Sequence, residues 1–207
     1  MVEFGVRRPL GVDAGEARRA AVLDAAEQLL AVHGFDALRL RDVAGRAGVS
    51  IGLIQHYFVT RDELLRATIR NASERRARAW SGLADRRSTG REKLAALLAG
   101  ALDDRHRCLT WLETCAAASR HPELMADVRR TQDAWRSVLR SAIEAGIAEG
   151  EFAPELPVED VVGLLIGLID GFMLAGATEP GDDRSSERAA AGRAALFGEA
   201  ADRLLRP

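Results

Sequence analysis

Apolar residues return every three or four positions along almost the whole chain, the spacing of one face of an α-helix. Val22, Ala26, Leu29 and Leu30 form such a stripe in a helix predicted over 13–33 and stopped by Gly34. Sustained alternation of apolar and polar residues, the mark of a half-buried strand, is missing from the sequence. Phe35 and Leu38 lead into a short helix over 41–47, Gly48 supplies a turn, and Ser50 begins another short helix through Phe58. Thr60 and Glu63 form a capping box that opens a long helix, and Thr89 and Glu92 form a second one. Further helices are expected over 107–119, from Pro122 to about residue 149, over 158–177 and over 187–205. Gly150, Pro154 and Pro157 mark one loop, and residues 179–186 another, polar one. The fold class is all-α with about nine helices.

This rhythm divides the chain into a flexible arm over 1–12, a three-helix unit over 13–60 and a larger helical domain over 61–207. Hydrophobic residues make up 47% of the composition and aromatics only 5%, so Leu, Ala, Val and Ile must fill most of the core. Net charge is -2, so contact with nucleic acid requires a local basic patch rather than bulk charge. Cys108 and Cys115 are two helical turns apart, about 10 Å, too far for a disulfide. They read as small hydrophobes in a reducing cytosol. The first fifteen residues or so lack the apolar stretch of a signal peptide. The apolar run over 161–177 is interrupted by glycines and by Asp170, which argues against a membrane span. A soluble, cytoplasmic protein is expected.

Residues 40–58 carry the functional signal. Val43, Ala44 and Ala47 give the first short helix a small apolar face, and Val49 plugs the corner after Gly48. Ile54 and Phe58, four apart, anchor the second helix inward with help from Ile51. Its other face carries Gly52, Leu53, Gln55, His56 and Tyr57. One anchoring stripe opposite one polar face is what a helix entering the major groove needs. Arg39, Arg41, Arg46 and Arg61 stand here against Asp42 alone, a local positive excess.

Read with its flanks, this segment resembles the DNA-binding domain of the TetR family of repressors. The likeness lies in Val43 and Ala44, in Ala47, Gly48, Val49 and Ser50, in Gly52, Ile54, Tyr57 and Phe58, and in Arg61, Glu63, Leu64 and Leu65; it covers roughly residues 18–70. The variant over 52–58, with residues 111–122 and 168–172, is similar to the BetI-like branch, which includes regulators of choline and betaine metabolism. The resemblance implies a homodimer on a palindromic operator in double-stranded DNA, released by a small-molecule effector. It places Ser50, Gly52, Leu53, Gln55 and His56 on the reading helix. Tyr57, Arg61 and Arg41 fall at phosphate contacts. Two positions depart from the family pattern. Leu40 stands where a threonine usually caps the helix, and Gln55 stands where tyrosine is common. Gln55 can read an adenine through a bidentate pair.

In the larger domain, Gly163, Gly167, Gly171 and Ala175 recur every four residues and form a ridge of small residues. Glycine inside a helix is unfavourable by about 1 kcal/mol relative to alanine, so close packing must compensate. With the last helix, which carries Leu196 and Phe197, this ridge is the expected dimer interface. Trp111, Cys115, Trp135, Phe172 and Met173, with Asp170 and Glu113 nearby, are the expected ligand pocket. Aromatic walls with a carboxylate suit a cationic or quaternary-ammonium ligand through cation–π attraction.

The four histidines show no metal-ligand spacing, and no nucleophile–base set or phosphate-binding loop is visible. An enzyme, a metal site and a bound cofactor are therefore not expected. A ligand-responsive repressor fits best. An activator, or a helical ligand-binding protein without DNA contact, are the alternatives.

Overall fold

The computed structural model describes residues 10–101, 105–178 and 183–206. Nine α-helices and one 3-10 turn are its regular elements among the described residues. Residues 1–9, most of the expected arm, lie outside them, as do residues 179–182 of the expected polar loop. The chain divides into two compact units, Met1–Asn71 and Ala72–Pro207.

The first unit holds α1 (Leu10–Ala37), α2 (Leu40–Ala47), α3 (Ile51–Tyr57) and the opening turns of α4 (Arg61–Asp85). Helix α1 begins at Leu10, inside the expected arm, and breaks at Gly34, whose φ of 79° and ψ of 171° no helix interior accepts. The chain resumes for one turn to Ala37, with Phe35 and Leu38 fully buried. Val22, Leu23, Ala26 and Leu30 supply the α1 side of a core completed by Val43, Ile54, Phe58, Leu64 and Leu65. Removing such side chains from water contributes roughly 1.5–3 kcal/mol for each large one. Gly48 ends α2 in the left-handed region at φ 66°, and the Val49 amide returns to the Ala44 carbonyl at 3.1 Å.

The second unit holds the rest of α4, then α5 (Gly90–Ala101), α6 (Arg105–Arg120), a 3-10 turn (Pro122–Leu124), α7 (Met125–Ala148), α8 (Val158–Thr178) and α9 (Asp183–Leu205). The 3-10 turn at Pro122 sets the start of α7 back to Met125, and α9 begins at Asp183, inside the expected loop. The unit boundary falls within α4 rather than at its start.

Helix α8 is the apolar spine, packed against α6, α7 and α9. Val161, Val162, Leu165, Ile166, Ile169 and Met173 are its buried face. By length and composition alone α8 would suffice to cross a membrane, with a mean hydropathy of 2.0 over its most apolar window.

Glycine lets α5 rest on the backbone of α7. A Cβ at Gly90 would lie 2.1 Å from the Gly146 nitrogen, and one at Gly146 would lie 2.2 Å from the Phe152 ring. The α5 N-terminus is closed by carboxylates from beyond the end of α7. Glu149 accepts from the Gly90 amide at 2.7 Å and Glu151 from the Arg91 amide at 2.8 Å.

Candidate nucleic-acid interface and candidate effector cavity

Helix α3 is only seven residues long, too short to persist without tertiary and capping contacts. Ser50 caps its start, accepting from the Leu53 amide at 3.2 Å. Ile54 and the following Phe58 are buried and hold one side. The helix that follows is capped as its sequence requires. Thr60 accepts from the Glu63 amide at 3.1 Å, and the Glu63 carboxylate reaches back to the Val59 amide at 2.9 Å. The second box closes similarly, with Thr89 accepting from Glu92 at 3.2 Å.

With α3 fixed by these contacts, Gly52, Gln55 and His56 are exposed, and Leu53 is half-buried beside them. A Cβ at Gly52 would meet only the Ser50 hydroxyl, 3.9 Å away, so this part of the face is flat and open. Arg39 is exposed at the start of α2 and caps nothing with its side chain. Arg41 is exposed beside Asp42 at 3.5 Å, a surface pair of little energetic weight. Leu40 and Arg39 together leave the α2 N-terminus without a side-chain cap.

Two expected phosphate contacts are engaged inside the unit. Arg61 donates through Nε to the Leu38 carbonyl at 2.7 Å, through Nη2 to the Phe35 carbonyl and through Nη1 to Asp62 at 3.0 Å. Its guanidinium lies 5.5 Å from the centre of the Phe35 ring. Arg61 thus closes the end of α1 as a clamp. The Tyr57 hydroxyl donates to the Gly15 carbonyl at 3.2 Å, so its one proton is already committed. Arg46 reaches Gln28 of α1 through Nε at 2.8 Å.

In the second unit, Arg76, Trp80, Ala101, Arg107, Trp111, Trp135, Ile169 and Met173 line a cavity of about 370 Å³, part of it open to solvent. Trp135 is central, its ring 4.7 Å from Trp111 and 6.1 Å from Trp80. Trp80 donates its indole N–H to the Leu97 carbonyl at 2.7 Å, and Trp111 donates to Asp170 at 3.0 Å. Asp170 is half-buried. Burial pushes its carboxyl above the usual range, while the Trp111 hydrogen bond and the Arg136 charge hold it back. Cys115, also half-buried, has its thiol pushed up to about 11 by burial and then by the Asp170 charge.

Of the expected pocket residues, Trp111, Trp135 and Met173 line this cavity. Asp170 is not among the lining residues but accepts from Trp111, Cys115 feels its charge, and Phe172 packs on Phe197 with ring centres 5.7 Å apart. Arg76, Trp80 and Arg107 were not anticipated. A local signal for them exists: Arg76 precedes Trp80 by four residues and Arg107 precedes Trp111 by four, so each pair shares a helix face. The charged residues among those lining the cavity are Arg76 and Arg107. Among the described residues no cluster of three or more metal-ligating side chains occurs.

The small-residue ridge of α8 points outward. Gly167 and Gly171 are exposed with nothing within 4 Å of an added Cβ, and Gly163 and Ala175 are half-buried. Leu164, Leu174 and Leu196 beside them are 47%, 53% and 60% exposed, a run of uncovered apolar surface. Phe197, expected with them, is fully buried against Phe172 and cannot meet a partner. It is corrected to a core residue.

Comparison with known proteins accords with this architecture. Residues 22–68 match the family model for bacterial regulatory proteins of the TetR family, and residues 86–206 match the C-terminal domain of BetI-type transcriptional repressors. The chain is 31% identical over 205 residues to the HTH-type transcriptional regulator BetI of Burkholderia mallei (strain NCTC 10229), covering 93% of this chain and 95% of that protein. The BetI regulator of Burkholderia lata is 32% identical over 177 residues, 80% of this chain and 85% of that protein. Among solved structures, one from Rhodococcus sp. assigned to the TetR family of transcriptional regulators superposes with a TM-score of 0.77 at 29% identity, covering 92% of this chain and 99% of that one. A TetR transcription regulator from Haloarcula marismortui shares the fold, with a TM-score of 0.79 at 22% identity over 92% of this chain and all of that one. These relatives are regulators, not enzymes. With its capped reading helix, open polar face and all-helical second unit, this chain belongs to the TetR family of bacterial transcriptional regulators and carries a C-terminal domain of the BetI repressor type.

Proposed function

We propose that the protein is a ligand-responsive repressor that binds a palindromic operator as a homodimer, in the cytoplasm where bacterial DNA lies, and is released by a small molecule. The observation that carries this reading is the exposed face of α3, with Gly52, Gln55 and His56 held outward by a capped, inwardly anchored helix. Residues 13–60 supply the reading head and 61–207 the effector and dimer functions. Gln55 and His56 read base edges, Ser50, Leu53 and Arg41 lie along the groove wall, and Arg39 adds a phosphate contact.

The outward ridge of Gly163, Gly167, Gly171 and Ala175, flanked by Leu164, Leu174 and Leu196, supports pairing of two copies through α8 and α9. A twofold pair sets its reading helices about 34–36 Å apart, one duplex turn. Effector binding shifts the population toward dimers whose spacing no longer fits.

Gel retardation with the DNA upstream of the chain's own gene tests the reading. Wild-type protein retards that fragment at low salt, and Gln55→Ala with His56→Ala abolishes sequence preference. No retardation of any such fragment at low salt sinks it. Sedimentation of Gly171→Leu tests the interface: a folded monomer is expected, and an intact dimer removes α8 from it.

A further inference from the structure

We infer that Ile51 is a specificity-determining residue that reads the 5-methyl group of a thymine, next to the base edge that Gln55 reads. The inference rests on taking α3 as the helix that enters the major groove.

The spacing of Ile51 predicts an inward anchor, but the structure leaves it 43% exposed while Ile54 and Phe58 are fully buried. Packing therefore accounts for only part of this side chain. Local preference does not account for the rest. A β-branched residue is a modest helix former, and the first turn of a helix favours an acid, yet α3 has none there. Ile51 is thus an apolar knob on a face otherwise made of Gly52, Gln55 and His56.

Its neighbours decide what the knob can meet. Four residues at about 100° each bring Gln55 to about 40° from Ile51 around the helix and about 6 Å along it. Base pairs lie about 3.4 Å apart, so the two side chains reach edges one or two steps from each other. Gly52 has no side chain, and a Cβ there would meet only the Ser50 hydroxyl at 3.9 Å, so it holds no surface away from Ile51. Charge permits the approach as well. The acids between residues 39 and 63 are Asp42, Asp62 and Glu63. Arg41 engages Asp42 at 3.5 Å, Arg61 engages Asp62 at 3.0 Å, and the Val59 amide donates to Glu63 at 2.9 Å. On the major-groove edges of the bases, the thymine methyl is the apolar group among donors and acceptors. Ile51 offers neither donor nor acceptor, and its branched Cβ restricts χ1, so its apolar surface is set in place before DNA arrives.

The full-length protein first selects its site from a random duplex library. The selected half-site is expected to hold a T·A pair within two steps of the position whose preference Gln55→Ala relaxes. Each thymidine of that site is then replaced by deoxyuridine, which removes one methyl group and no hydrogen-bonding group. One replacement in each half-site is expected to weaken wild-type binding about fourfold, and the others less than about twofold. In Ile51→Ala and Ile51→Gln that same replacement should change binding less than about twofold, while Ile51→Val keeps the effect. Circular dichroism checks folding, and either folded variant suffices; should neither fold, the wild-type series decides. Three outcomes overturn the inference: a flat deoxyuridine series in wild type, a selected site with no thymine at that distance, or a fourfold loss that persists in the folded variants. Failure of the underlying reading looks different. A protein that selects no sequence removes α3 as the reading helix, whereas a selected site indifferent to its methyl groups removes Ile51 alone.

Discussion

A methyl group added at Gly45, Gly48 or Gly52 of the first unit would meet no heavy atom closer than 3.9 Å. Added at Gly90, Gly100 or Gly146 of the second unit, it would collide at 2.1 to 2.3 Å. The two units use the same residue for opposite ends. In the second, glycine brings helix backbones into contact and builds a core. In the first it keeps a surface low and bare, the shape a duplex needs for close approach. Gly167 and Gly171 belong to the second unit but behave like those of the first, which is why α8 reads as a face awaiting a partner.

The contrast can be broken by substitution, and the largest effect is expected where backbones touch. Gly90→Ala should destabilise the second unit by about 3 kcal/mol, measured by urea unfolding, because Gly146 offers a backbone atom that cannot turn aside. A neutral result would mean α5 is free to shift. Next is Arg61→Ala in the first unit. It leaves the Phe35 and Leu38 carbonyls without their charged donor and should cost about 2 kcal/mol. Arg61→Lys should recover little of that loss, since one ammonium cannot reproduce the fork. A variant of full stability that merely binds DNA less well would return Arg61 to the phosphates.

Smaller and opposite in sign is Gly52→Ala. The helix gains up to about 1 kcal/mol from the better helix former, since nothing stands in the way. Operator affinity should fall about tenfold as the methyl group lifts α3 from the groove. Increased stability with unchanged affinity would show that this face does not approach DNA.

The smallest effect is electrostatic. The Asp170 carboxyl titrates higher folded than unfolded, so protonation favours the native state. Its contribution is greatest below the unfolded pKa and is lost as pH rises through the raised folded value. Asp170→Asn keeps an acceptor for Trp111 and removes this dependence. Melting curves from pH 4 to 7 should show wild type losing ground to the variant as pH rises. Parallel profiles would contradict the raised pKa.

How much of this was legible in the sequence follows the range of the forces involved. The turn between α2 and α3, the Ser50 cap, the Thr60 and Thr89 boxes and the anchors Ile54 and Phe58 depend on residues within four positions of one another, and all are found where the pattern puts them. Phe197 and Leu196 are both apolar but about 100° apart around the helix, and the packing of Phe172 decides which is inside. Arg61 is basic and stands at the edge of the reading head, which suggests a phosphate. The carbonyls it bonds here lie twenty-odd residues earlier, in a turn whose geometry is set by Gly34, and no local pattern shows them. The cavity draws on α4, α5, α6, α7 and α8 at once, so the Arg–Trp steps on separate helices carried no hint that they converge.

The break in α1 has a consequence for descent. Gly34 interrupts the helix and creates the turn whose carbonyls Arg61 then occupies. Neither residue has the same reason to persist without the other: a chain that straightens α1 no longer offers those acceptors, and one that loses the arginine strands them. Positions 34 and 61 are therefore expected to change together among descendants of a common ancestor.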